Sequence, residues 1–259
     1  MFLLFLLPSI TAVSRYVGHI LCRTYYDTTV YNNYNRYPKP PMTTVPSVTP
    51  CVRLIWITQA AEHMIEYCAR VSNPKNQQTL DNTGKLLRYL VKHKHWSPFE
   101  MASACFEINT TRDISAQILR HRSFSFQEFS QRYASTTDGL GGLEIPHLRR
   151  QDLTNRQASH DDLTTEETQS FYRRISSLFE DAEHLYQEML SSGIAKETAR
   201  KILPMNSPTR LYMSGTIRSW IHYLQVRRGP ETQLEHRQIA DGIYDILNKE
   251  LPNLWEVII

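Results

Sequence analysis

"ASACFEIN", residues 102–109, decides how the chain folds. Ala102, Ala104, Phe106 and Ile108 alternate with Ser103, Cys105, Glu107 and Asn109, the period of a strand with one buried face. Directly after it, residues 112–121 change to helical spacing, with Ile114, Ile118 and Leu119 on one side. Directly before it, "HWSPFE" places Ser97 as a helix cap, Pro98 at the first helical position and Glu100 three residues after the cap. Further upstream, "VRLIWIT" (52–58) reads as a strand. "QAAEHMIEYCARV" (59–71) reads as a helix on Ala61, Met64, Ile65 and Cys68, and "TGKLLRYLVKHKH" (83–95) as another on Leu86, Leu87, Leu90 and Val91.

Downstream, residues 138–165 are rich in Gly, Asp and Arg, lack any period and read as a long loop. Thr165 to Leu190 is the clearest helix, with Phe171, Ile175, Leu178, Ala182, Leu185 and Met189 in one stripe and Gly193 suited to its end. "AKETARKIL" is a short helix stopped by Pro204, and "RLYMSGTI" alternates as a strand. "RSWIHYLQVRR" is helical, with Trp220, Ile221 and Leu224 opposite Arg218, His222 and Gln225. "ETQLEHRQIADGIYDILNKEL" closes the chain's last large helix. Strands and helices mixed without regular alternation predict an α+β domain, a mixed or antiparallel sheet flanked by helices.

The domain is expected to begin near residue 51. "MFLLFLLPSITA" resembles a signal-peptide core without a preceding basic residue, and the Tyr-, Asn-, Thr- and Pro-rich stretch behind it has no period. Residues 1–50 are therefore an N-terminal arm with three readings: a targeting segment, a partly ordered arm, or upstream sequence before a start at Met42. No run reaches the roughly 18 apolar residues of a membrane span. A net charge of +3 is too small for a general nucleic-acid binder, so local clusters matter more. Cys22, Cys51, Cys68 and Cys105 lie far apart, which argues against a metal site or a disulfide framework and fits a reducing, cytoplasmic setting.

One local cluster stands out. "LRHRSFSFQEFSQRY", residues 119–133, holds three arginines and a histidine among serines and phenylalanines. Arg120 and Arg122 follow a helix, where cations favour the negative end of the dipole. In an extended segment Ser123, Ser125 and Gln127 would form a polar face beyond the two arginines, with Phe124 and Phe126 buried behind it. Guanidinium forks held by an aromatic wall suit phosphate oxygens. Ser130 and Arg132 offer a second anion-binding pair. Without a Walker loop or G-x-G-x-x-G, side chains would hold the phosphate, whether of a nucleotide, a flavin or an RNA backbone.

"RHRSFSFQEFSQR" resembles the signature R-H-R-x-x-S-x-N-x-x-S-x-R of the flavin-dependent thymidylate synthases. Arg120, His121, Arg122, Ser125, Ser130 and Arg132 match, and Gln127 stands where the pattern has Asn. The similarity continues through "HWSPFE", "ARKILP" and "RSWIHYLQVR", and so covers about residues 52–255. It implies a homotetramer that binds FAD and converts dUMP to dTMP, with methylenetetrahydrofolate as carbon donor and NADPH as reductant. It implies a flavin-binding group of Ser97, Arg120, His121, Arg122, Glu128, His222 and Gln233, with His95 near the flavin ring and folate. Gln117, Glu128, Ser130, Arg132 and Arg200 become the dUMP-binding set, and Arg227 the residue that binds and activates uracil. His222 replaces an Asn found in many members, and Glu231 falls where several carry a histidine. The other readings are an RNA-binding protein, disfavoured by the modest charge, and an inactive relative that binds flavin or nucleotide. No stable nucleic-acid or membrane partner is expected.

Overall fold

The computed structural model describes residues 51–78, 83–135, 140 and 142–255; the expected N-terminal arm lies outside the described residues. The main sheet is built from β1 (Cys51–Ile57), β2 (Ser103–Thr111), β3 (Ser125–Glu128) and β6 (Pro208–Thr216), in the order β1-β2-β6-β3. Every neighbouring pair in it is antiparallel. A small hairpin of β4 (Arg150–Gln151) and β5 (Ser159–His160) lies within the segment expected as loop. The helices are α1 (Ala61–Ala69), α2 (Thr83–Lys92), α3 (Arg112–Ile118), α4 (Thr165–Ser191), α5 (Lys196–Ala199), α6 (Ile217–Arg227), α7 (Leu234–Glu250) and α8 (Pro252–Trp255).

Register puts one apolar face together: Ala104 opposes Gly215, Phe106 opposes Met213, and Ile108 opposes Leu211. Phe126 joins it opposite Met213, and Leu54 opposite Phe106. Trp220 of α6 packs its ring 4.9 Å from Phe106 and donates its indole N–H to Ala104 O at 3.2 Å. From α7, Ile239, Ala240, Ile243 and Leu247 complete the core at helical spacing. The other face of β2 is less open than its alternation suggests: Cys105 and Glu107 are also buried. Glu107 is accommodated there because Arg53 at 3.1 Å and the Tyr212 hydroxyl at 2.7 Å both donate to it.

Gly215 sits where a side chain has no room. A Cβ built there would lie 2.4 Å from Cδ1 of Phe124, whose ring covers the strand. Gly215→Ala is therefore expected to destabilise the protein by roughly 1–3 kcal/mol by forcing Phe124 outward. Urea unfolding measures this, and an unchanged midpoint would contradict the packing.

Three expectations change. Ser97 does not cap an α-helix: Ser97–Glu100 is a 3-10 turn whose cap position is Trp96, without a side-chain cap hydrogen bond. The α2 helix ends at Lys92, short of His95, because Lys94 turns left-handed (φ 57°). His95 N–H then reaches Leu90 O and Lys94 N–H reaches Val91 O, closing a Schellman-type end. The stripe on α4 is not buried throughout, since Phe171, Leu178 and Leu185 are 55%, 62% and 48% exposed. The start of α4 is fixed by a capping box between Thr164 and Glu167, and Gly193 (φ 81°) ends it.

Candidate active site

The signature segment leaves α3 through turns. Arg120 N–H, His121 N–H and Phe124 N–H close onto Gln117 O, Ile118 O and His121 O. The strand begins only at Ser125, so Arg120 and Arg122 lie on turns, not on the same strand as Ser125 and Gln127. The aromatic wall is present. Phe124 is buried edge-on against Trp220 at 4.6 Å, and the His121 ring meets Tyr223 edge-on at 4.9 Å. Arg120 and Arg122 remain exposed on this wall. Two guanidinium forks, open among the described residues and beside an imidazole, fit phosphate oxygens.

Arg227, at the end of α6, is half-buried and donates from Nε to Nε2 of His121 at 2.8 Å. This geometry requires His121 Nε2 to be bare. Burial, then the charges of Arg227 and His222, push the His121 imidazole down to about 4, so it is neutral at pH 7 and stays an acceptor. A neutral partner orients Arg227 without cancelling its charge. The Nη groups of Arg227 have no protein partner among the described residues. The result is a fixed cation with its outer fork open.

Beside it runs a chain of hydrogen bonds. The Tyr223 hydroxyl lies 3.1 Å from His236 Nε2, and His236 Nδ1 lies 3.4 Å from Gln117 Oε1. Gln117 Nε2 donates to Gln233 Oε1 at 2.7 Å. The Glu235 carboxylate, two residues beyond Gln233, accepts two bonds from Arg149 at 2.6 and 3.0 Å, and the Gln233 side chain lies close enough to lower its pKa. Burial raises the Glu235 carboxyl, but the bonds from Arg149, a backbone N–H bond, the Arg149 charge and, least, Gln233 outweigh it and the net shift is downward. His236 is fully buried, and burial, then the charges of Arg227 and His121, push it down to about 3.

The remaining sequence candidates form further groups. Glu128 accepts from Ser115 Oγ at 2.8 Å and Thr209 Oγ1 at 3.0 Å, with Arg112 4.0 Å away. Its Oε1 is thus engaged within the protein. Ser130 Oγ accepts from Arg132 N–H at 3.4 Å, and Arg132 Nε pairs with Glu197 at 3.5 Å. Arg200 begins the 3-10 turn Arg200–Ile202, directly after α5. His95 and Ser97 are exposed, and the His95 ring lies 6.0 Å from both Tyr89 and His93. His222 lines a cleft of about 450 Å³ with Trp96, Ser123, Ser219, Ile221 and Gln225. Arg218 pairs with Glu100 at its rim.

Sequence reasoning missed Tyr223, His236, Arg149 and Glu197. For His236 a signal existed: it occupies the same stripe as Ile239, Ala240, Ile243 and Leu247, where an imidazole is out of place. No spacing rule could have paired Arg149 with Glu235, 86 residues apart.

Residues 53–253 match the Thy1 family model, described as thymidylate synthase complementing protein. The chain is 50% identical over 193 residues to the flavin-dependent thymidylate synthase of Synechocystis sp., a match spanning 74% of this chain and 87% of that one. It is 47% identical over 199 residues to a probable flavin-dependent thymidylate synthase of Paramecium bursaria Chlorella virus 1, covering 76% and 90%. Among solved structures, it is similar to a UMP/dUMP methylase of Streptomyces cacaoi bound with 5-Br dUMP. There the TM-score is 0.71 and the identity 27%, over 82% of this chain and 95% of that one.

Proposed function

The chain belongs to the flavin-dependent thymidylate synthase family, and on that premise we propose that it makes dTMP by reductive methylation of dUMP. The overall change takes dUMP, methylenetetrahydrofolate, NADPH and a proton to dTMP, tetrahydrofolate and NADP⁺. Bound FAD supplies the hydride chemistry. The observation that carries the proposal is Arg227, a fixed cation with an open fork next to the arginine turn.

Arg227 hydrogen-bonds the uracil ring and draws charge toward its carbonyl, favouring the electron-rich form that attacks the methylene carbon. A preorganised cation at the point where charge develops stabilises the transition state without reorganising. His121 holds that cation in place. Arg120, Arg122 and Ser97 bind the flavin phosphates, and His222 and Trp96 border the flavin. Ser130, Arg132 and Arg200 take the dUMP phosphate, which displaces Glu197 from Arg132. Gln117 contacts the nucleotide, Glu128 orients Arg112 and α3, and His95 lies toward folate. The test is the visible spectrum of the purified protein under anaerobic NADPH, with and without dUMP. A flavin band that bleaches, at a rate altered by dUMP, supports the proposal. Protein that binds no flavin even after FAD is added contradicts it.

The assembly we propose is the family's homotetramer. Phe171, Leu178 and Leu185, spaced seven apart on α4, give a second copy of the chain an apolar strip to cover. Leu178→Glu is expected to lower the mass seen by light scattering. An unchanged mass would remove α4 from the interface.

A further inference from the structure

We propose that His236 is a positioning residue for substrate binding: with Glu235 at the far end of the chain, it fixes which end of the Gln117 amide faces the ligand. The directions follow from one end. A carboxylate only accepts, so Glu235, held by Arg149 and close to the Gln233 side chain, favours the Gln233 amide with its N–H end toward the carboxylate and its Oε1 toward Gln117. Gln233 is left to present its carbonyl to Gln117 and must receive an N–H at 2.7 Å. Gln117 then has only its carbonyl to offer His236, which must answer with Nδ1–H. Nε2 of His236 is consequently bare and accepts the Tyr223 hydroxyl. The bonds from Gln233 to Tyr223 are thus assigned in direction, and among the described residues one N–H of Gln117 is left uncommitted.

That single N–H is what Gln117 offers a ligand acceptor, such as a carbonyl or phosphate oxygen of the nucleotide. Reversing the chain would turn the Gln233 carbonyl toward the Glu235 carboxylate, a like-polarity contact. A phenylalanine at 236 would fill the cavity and leave the Gln117 carbonyl without its donor. His236 touches neither reacting atoms nor ligand in this account. It acts through Gln117, and the Tyr223 ring that it packs against also supports His121.

This inference rests on the reading that Gln117 contacts dUMP, and the experiment separates the two. Dissociation constants for dUMP are measured on the flavin-loaded enzyme with His236→Phe, Gln117→Ala and both together. Each single change is expected to weaken dUMP about tenfold, the cost of one hydrogen bond, and the double change no more than Gln117→Ala alone. His236→Asn, which keeps a donor near the Nδ1 position, is expected to recover most of the loss. Glu235→Gln, at the accessible end, lets the chain run either way; it is expected to weaken dUMP only when Gln117 is present, and so serves if the phenylalanine variant does not fold. Additive losses, or His236→Phe binding like wild type, overturn the positioning role while leaving Gln117 at the substrate. Wild-type binding by Gln117→Ala overturns the substrate reading itself and the inference with it. Nitrogen-15 NMR of labelled holoenzyme gives an independent reading: His236 should carry its proton on Nδ1, and a proton on Nε2 overturns the proposal.

Discussion

Arg227→Ala is expected to keep its flavin and lose dTMP formation by a factor on the order of 10²–10³, the usual cost of removing one preorganised electrostatic contact. The separation follows from where the side chain points. Among the described residues Arg227 spends only Nε on the protein, and its partner His121 retains Tyr223 and Phe124 as neighbours when the guanidinium is gone. The Arg120–Phe124 turn therefore survives, while the open fork does not. Arg227→Lys keeps a charge but neither the fork nor the Nε bond to His121, and should recover only a small part of the rate. Steady-state kinetics at saturating dUMP, with flavin content from the visible spectrum, checks both parts. Because His121 remains neutral well below pH 6, acidification from pH 8 to pH 6 should not break the Arg227–His121 bond. Retained dTMP formation in Arg227→Ala would remove Arg227 from the mechanism.

Arg120→Ala is expected to give protein that is colourless or weakly flavinated. Arg120 is exposed on a turn whose backbone is closed by its own hydrogen bonds, so the substitution should not disturb the fold. What is lost is a charge-assisted contact to phosphate, about 1.5–3 kcal/mol and hence roughly 10- to 150-fold in flavin affinity. Titration with FAD measures it, alongside an unfolding curve that should match wild type. Full flavin content after purification would show that Arg120 does not hold the cofactor.

Much of this architecture was legible in the chain itself. The alternation of 102–109 and 210–217 marks β2 and β6, which pair along their length, and the helical stripes of α6 and α7 mark what covers them. The turn at Ser97 was misjudged because Ser-Pro-Phe-Glu satisfies a capping pattern that the local backbone does not adopt. Periodicity found the apolar stripe of α4 but could not say that part of it remains uncovered within one chain. Strand order depends on contacts far apart in sequence, so nothing local placed β3 beside β6.

The site divides in the same way. Arg120, His121, Arg122 and Arg227 were readable as a motif with distinctive chemistry, and the structure adds that His121 serves Arg227 as a neutral acceptor. The motif could not show that both ends of the Gln117 amide are already engaged by Gln233 and His236. That fact changes Gln117 from a free amide to one with a defined face. It emerges only when α3 and α7 are packed together.

In the proposed reaction the carbon transferred to uracil is reduced by NADPH through the flavin, not by the folate that carries it. Identifying the folate product after single-turnover reaction of the flavin-loaded enzyme with dUMP, methylenetetrahydrofolate and NADPH tests this directly. The expected result is dTMP and tetrahydrofolate in equal amounts, with one NADPH consumed for each. Dihydrofolate as the product, with dTMP formed without NADPH or flavin, would contradict it.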